Sequence, residues 1–217
     1  IHDEEILSFL WRQAYYLSVN PEYHLKNNHL LDNGFALLRA GLFFGEEKFF
    51  HAGQAILITE LNKQILNDGA HIELSPMYHC AVLWRLLETI DSMAIIRQDY
   101  YPLNTLLADV ASKMCGWLSA IVFDNGDLPA INDSASDGCP PVHAIADYAH
   151  DLGLKCAHTP LSVSGLRKFR NRHFELLVDV HGFTHAASPG HAHADALSFL
   201  LHVFGSPYII DTGVSVY

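Results

Sequence analysis

The chain has 217 residues, 50% of them hydrophobic, and 13 Lys and Arg stand against 24 Asp and Glu for a formal net charge of −11. That apolar content excludes a disordered chain and supports one sizeable domain, or one domain and part of a second. The acidic balance argues against a nucleic-acid or membrane-surface partner, which needs a clustered basic face, and an acidic polymer would need local positive charge as well.

Up to about residue 151 apolar residues recur at helical spacing, and the spacing predicts helices over 3–17, 27–44, 46–67, 76–98, 102–123 and 140–151. Gly45 separates the second from the third, Asn67-Asp68-Gly69 ends the third, and Ser75-Pro76 supplies a cap and first-turn pair for the fourth. In antiparallel helical hairpins every second helix starts at the same end. Asn27-Asn28-His29, Tyr78 and the loop 124–134 before the sixth helix are therefore expected on one rim. After a linker at 152–165 the runs become short and β-branched, predicting strands near 174–180, 197–204 and 208–210. Helices followed by strands, unmixed, give an α+β multidomain arrangement, divided here into 1–155 and 156–217.

No stretch reaches the roughly 20 apolar residues of a membrane helix, and the N-terminus lacks the basic-then-apolar pattern of a signal peptide. Ile1 at the start and a strand-like run ending at Tyr217 point to a piece of a longer protein. Cys80, Cys115, Cys139 and Cys156 show no CxxC spacing, and the first two fall in helical patterns where a buried thiol is ordinary, so disulfides are not expected. The 15 histidines outnumber Lys and Arg combined, more than packing requires.

The most specific stretch is Pro189-Gly190-His191-Ala192-His193-Ala194-Asp195, followed by Gly205-Ser206-Pro207 and Asp211. In an extended segment His191 and His193 point to one face, and a hairpin through Gly205-Ser206-Pro207 would return Asp211 beside them. His, His and Asp make a zinc set lacking one ligand, or one ligand beside one catalytic group.

With NNH at 27–29, DGAHIELSPMY at 68–78 and FDNGDLPAINDS at 123–134 in order ahead of it, this stretch resembles the heparinase II/III family of polysaccharide lyases over nearly the whole chain. The resemblance implies an incomplete α/α toroid followed by the first strands of an antiparallel β-sandwich domain, with a cleft between them. It implies Asn28, Tyr78 and His191 as catalytic residues, with His29, Glu73 and Asn132 as substrate-binding groups. It further implies His193 and Asp211 as ligands of a structural Zn2+, whose third protein ligand would lie beyond Tyr217. The substrate it implies is an acidic polysaccharide containing uronic acid, of the glycosaminoglycan, alginate or bacterial-surface-glycan kind. Lyases of this kind are typically exported, which would place the protein in the periplasm or outside the cell, whereas unpaired cysteines would suit a reducing interior.

β-Elimination removes the proton beside the uronate carboxylate and expels the glycosidic oxygen on the neighbouring carbon. Negative charge then builds next to negative charge, so amide or imidazolium donors on the carboxylate stabilise the transition state more than the ground state. Asn28 offers an amide, with His29 next to it. Tyr78, with an ordinary pKa of about 10, would have to shift toward phenolate to act as base, and a helix N-terminus would favour that; as a phenol it acts as acid to the leaving oxygen. His191 is base or carboxylate partner.

Each assignment has a plainer counterpart. Asn28 suits a helix cap, Tyr78 a core aromatic, and Glu73 or Asp133 helix ends. His173, His181 and His185 read as surface or supporting groups. Arg167, Lys168, Arg170 and Arg172 form the one basic cluster, read as a solvated strand or turn face that could also meet a polyanion. Two other functions stay open: a metal-dependent hydrolase built on HxHxD, although Ala196 stands where a further histidine would be expected, and a non-catalytic glycan-binding module.

Overall fold

The structure is a computed structural model that describes residues 3–97, 100–135, 137–180 and 197–211. Six helices, α1 (Glu4–Val19), α2 (Asn27–Phe44), α3 (Glu47–Gln64), α4 (Pro76–Ile96), α5 (Tyr101–Ile121) and α6 (Val142–Asp151), precede four strands, β1 (Leu166–Arg170), β2 (Phe174–Asp179), β3 (Phe199–Val203) and β4 (Ser206–Ile209). The strands form an antiparallel meander in the order β1-β2-β3-β4. Among the described residues no helix is long and apolar enough to cross a membrane. The chain divides into two compact units, Ile1–Gln64 with Arg85–Ala108, and Ile65–Trp84 with Asp109–Tyr217.

In the first unit α2 ends at Gly45 in the left-handed conformation (φ 65°), and α3 begins two residues later. The two helices approach so closely that a Cβ on Gly41 would lie 2.4 Å from the Phe50 nitrogen, and one on Gly53 would lie 2.3 Å from the Leu38 nitrogen. Glycine at these positions lets Leu37, Leu38, Phe49, Phe50 and Leu57 bury almost completely around the contact.

The second unit has its own core, in which Trp117, Ile121 and Phe123 at the end of α5 pack with Ile131, Leu166, Leu177 and Leu200. Leu177 pairs with Leu200 across β2 and β3, and Glu175 pairs with His202 two residues on, so one sheet face is apolar at one end and charged at the other. At the charged end Lys168 Nζ lies 2.9 Å from Glu175 Oε1 and donates to the Val122 carbonyl at 2.5 Å. The Asp124 N–H donates to Glu175, and the His202 ring stacks on Phe123 with centroids 3.6 Å apart. Burial works to raise the Glu175 pKa, but Lys168 and the Asp124 N–H outweigh it and hold the carboxyl below its usual range. The sequence spacing gave no strand at β1. Its basic residues are engaged in structure: Lys168 is half-buried and paired, and Arg170 meets Asp124 at 3.1 Å.

Asp68 is completely buried, in the connection between α3 and α4. Its Oδ2 accepts from the Ser162 N–H (3.0 Å), the Ser164 N–H (2.9 Å) and the Ser164 hydroxyl (2.7 Å), and Trp117 Nε1–H donates to Ser164 Oγ (3.2 Å). Burial works to raise the Asp68 pKa, and the hydrogen bonds from Ser164, Ser162 and Ala70 outweigh it, holding the carboxyl below its ordinary range. The turn predicted at 67–69 is thus also a latch from the α3–α4 connection to the segment entering β1. One residue further, Gly69 (φ 93°) passes the α5 backbone where a Cβ would lie 2.2 Å from the Lys113 carbonyl oxygen.

Beneath the start of α4, His79 is wholly buried against Trp117, with ring centroids 4.5 Å apart. Its Nε2 lies 3.1 Å from the Met114 carbonyl, and the His71 N–H donates to its Nδ1 at 3.3 Å. A carbonyl only accepts, so the proton is on Nε2 and the ring is neutral. Burial lowers its pKa to about 4.

Two predictions follow from these buried groups. Asp68→Ala strands three buried donors at about 1–3 kcal/mol each, so denaturant unfolding followed by tryptophan fluorescence is expected to show a loss above about 3 kcal/mol; an unchanged midpoint refutes the latch. For His79 the folded pKa lies below the unfolded value of about 6.5, so the unfolded chain takes up a proton first as pH falls. Its contribution is complete above pH 6.5 and is lost on descending to about 4, a total of about 3 kcal/mol. Unfolding midpoints measured at pH 7 and pH 5 should differ accordingly, and His79→Gln should flatten that difference.

Candidate functional site

The start of α2 lies in the first unit and is built without a side-chain cap. Lys26 occupies the cap position at φ 61° and Asn27 follows at φ 48°, both left-handed without being glycine. Two buried amides hold this turn. Asn33 Oδ1 accepts the Glu22 N–H (2.8 Å) and its Nδ2 donates to Glu22 Oε2 and the His29 carbonyl (both 2.9 Å), while Gln64 Nε2 donates to the Asn27 carbonyl (3.0 Å). Asn28 is the second helical residue, so it is not the cap. Its half-buried side chain accepts the His29 N–H at Oδ1 (2.9 Å), which leaves the amide Nδ2 as its donor end. His29 is exposed.

The start of α4 lies in the second unit. Leu74 is left-handed (φ 55°), and Ser75 caps the helix as the sequence predicts, its Oγ accepting the Tyr78 N–H at 3.4 Å. The same hydroxyl donates to the Asp133 carbonyl (2.7 Å), and the Met77 N–H donates to Ser134 Oγ (3.1 Å). Asn132, also left-handed (φ 51°), donates from Nδ2 to the Leu74 carbonyl at 3.0 Å. Glu73 is buried, with Oε2 at 3.8 Å from His71 Nδ1. These bonds bring Glu73, Tyr78, Asn132 and Asp133 together within the second unit.

The electrostatics at Tyr78 oppose the shift toward phenolate that a base would need. Burial, then the negative charges of Asp133 and Glu73, push its pKa above the ordinary value. Tyr78 is held as a phenol, the form that gives a proton.

Asp211 is half-buried, just after β4. The turn before β4 is Phe204-Gly205 (φ 50° and 76°), both residues left-handed as in a type I′ hairpin, so Ser206-Pro207 belongs to β4 rather than to the turn. His191 and His193 fall at 181–196, outside the described residues, as do His181 and His185. Among the described residues no three His, Cys, Asp or Glu side chains form a metal-binding group. A carboxylate such as Asp211 with an imidazole such as His193 is ordinary zinc chemistry, so the donor types suit the ion.

The supporting residues His71, His79, Asp68, Lys168 and Glu175 are not evident from spacing alone. The one hint is the density of titratable residues within 68–79 in an otherwise apolar helical stretch.

The profile described as heparinase II/III N-terminus matches residues 1–146, and that described as heparinase II/III-like, C-terminal, matches residues 157–217. A heparin-sulfate lyase of Pedobacter heparinus is 39% identical over 240 aligned positions, which take in 98% of this chain and 35% of that protein. The fold also matches the crystal structure of heparinase III, with a TM-score of 0.78 at 20% identity, over 97% of this chain and 38% of that one. Heparan sulfate lyase HepC from Pedobacter heparinus matches with a TM-score of 0.68 at 24% identity, over 98% and 36% of the two chains. The chain thus spans about a third of the length of the relatives it matches. At these identities the structures speak for the fold: an incomplete α/α toroid followed by the start of an antiparallel β-sandwich domain. Two profiles in chain order, one over the helices and one over the strands, show that the chain belongs to the heparinase II/III family.

Proposed function

We propose that this chain is the catalytic portion of a lyase that cleaves a uronic-acid-containing glycosaminoglycan by β-elimination. The observation that carries the reading is Tyr78, a phenol held in its acid form at the start of α4, where Leu74 and Asn132 of two adjoining segments are both left-handed. The names of the relatives support the substrate class.

In this reading the substrate carboxylate is received by the Asn28 amide and by His29, while Glu73 and Asn132 shape the neighbouring sugar subsite. The proton beside the carboxylate goes to a base, with His191 assigned as that base or as partner to the carboxylate. The carbon–oxygen bond on the next carbon breaks, a carbon–carbon double bond forms, and the leaving oxygen takes the Tyr78 proton. General acid catalysis of this kind contributes about 10²–10⁴-fold, and a donor aimed at developing charge about 10²–10³-fold. The protein is assigned to the periplasm or the exterior, and its functional boundary to residues 155–156. Zn2+ held by His193 and Asp211 is assigned a structural part, cross-linking segments of the β domain.

The test is unsaturated-uronate absorbance when the intact natural protein meets heparan sulfate. Tyr78→Phe is expected to lower the rate by at least about 10²-fold while circular dichroism stays unchanged. A variant within tenfold of the natural rate rules out proton transfer by Tyr78, and chain cleavage without absorbance points to hydrolysis instead.

For the metal, elemental analysis of the same protein is expected to find one zinc that His193→Ala loses, with a lower melting temperature in the variant. A zinc-free natural protein removes His193 and Asp211 from the assignment.

A further inference from the structure

Spacing along the chain gives no pairing for the four cysteines, but the fold sorts them into two pairs of free thiols, all in the second unit. Residues 155–157 are laid along α5. The Ala157 N–H donates to the Ser112 carbonyl at 2.9 Å, the Ser112 hydroxyl donates to the Lys155 carbonyl, and a Cβ on Gly116 would lie 1.8 Å from the Ala157 oxygen. Cys156 sits between those anchored residues and Cys115 between Ser112 and Gly116, so the close backbone approach sets the two thiols beside each other. The second pair is built the same way on α4. Ser134 and Asp133 bond to the first turn, and a Cβ on Gly138 would lie 2.2 Å from the Met77 sulfur. Cys139 follows Gly138 and Cys80 lies one turn after Met77, so the same close approach sets these two thiols beside each other.

Four cysteines allow three pairings, and these contacts select one. We propose that Cys80 with Cys139, and Cys115 with Cys156, are two disulfide sites that staple the segment before α6 to α4 and the linker after α6 to α5 in an oxidising compartment. The geometry carries this independently of the lyase reading.

The reaction is thiol–disulfide exchange with a small disulfide, RSSR. A cysteine thiolate attacks RSSR and releases one thiol, RSH; the second cysteine attacks the mixed disulfide and releases another. The two cysteines lose two electrons and two protons, which the two RSH carry away. The partly open members lead. The neighbouring Cys80 thiol holds Cys139 below its ordinary range against the effect of burial, while Cys156 is exposed. Cys115, pushed up to about 12 by burial and by Cys156, and the buried Cys80 act as resolving thiols. The Cys80–Cys139 bond would fasten the chain after Asn132, Asp133 and Ser134 to the helix that carries Tyr78.

The test equilibrates the intact natural protein in glutathione buffer, blocks free thiols with iodoacetamide and maps unreduced peptides by mass spectrometry. Expected are the 80–139 and 115–156 linked peptides, each two hydrogens lighter than its reduced pair. Reductant should lower the melting temperature by several degrees, and Cys139→Ser with Cys156→Ser should remove both the links and that response. Should the double variant fail to fold, Cys156→Ser alone is expected to keep the 80–139 peptide and lose the other. Four alkylated cysteines in the oxidising buffer, or links in any other combination, overturn the proposal.

Discussion

Asp68 places a full negative charge where no solvent reaches it, and the second unit tolerates that charge because donors from a segment about a hundred residues later converge on one carboxylate oxygen. A buried ionised group without such partners costs many kcal/mol. The backbone of Ser162 and Ser164 therefore has one place to go. That requirement brings the chain entering β1 against the α3–α4 connection, and Trp117 joins the same network through Ser164. Leu166 then starts the first strand beside Trp117 and Ile121, so the hydrophobic core of this unit is closed around an electrostatic anchor.

A second clamp acts on the loop that follows α5. Lys168 and Glu175 occupy the inner face of the sheet, and each satisfies a backbone group of the 122–124 turn, a carbonyl from one and an N–H from the other. A buried ion pair of this sort contributes little net stability, because desolvation offsets attraction, but it penalises any arrangement that separates the partners. It fixes where the turn begins, and the hydrogen bonds of Ser75 and Met77 to residues 133 and 134 fix where the loop ends. Between those points Asn132 is held left-handed, as Leu74 is opposite it, at about 1–3 kcal/mol each. Lys26 and Asn27 carry the same kind of strain ahead of Asn28. Strain retained at each of these turns fits groups that must be presented in one geometry.

Around Tyr78 the charges are negative, which favours the neutral phenol and opposes its ionisation. In the proposed reaction that environment suits a proton donor to the leaving oxygen, because a phenolate formed beside Asp133 and Glu73 readily recovers a proton once product departs. It makes Tyr78 a poor resting base. That preference follows from burial first and then from the charges of Asp133 and Glu73.

Helical periodicity and punctuation by themselves determined the six helices, because apolar spacing, Gly45 and Ser75-Pro76 act within a few residues of one another. The order of the NNH, DGAHIELSPMY and FDNGDLPAINDS segments with the HAHAD run likewise determined the family, since that order is a property of the line of residues. β1 escaped this reading because Leu166-Arg-Lys-Phe-Arg170 becomes a strand through pairing with β2 and through burial of Lys168 on Glu175, neither of which is encoded nearby. The same holds for Asp68, whose neighbours in sequence indicate only a turn, and for the cysteines, whose partners lie 41 and 59 positions away. The direction of the Tyr78 shift also belongs to tertiary structure. Sequence places the phenol at a helix start, but only folding removes its water and sets Asp133 beside it, and solvent exclusion with through-space charge depends on distance in three dimensions rather than along the chain.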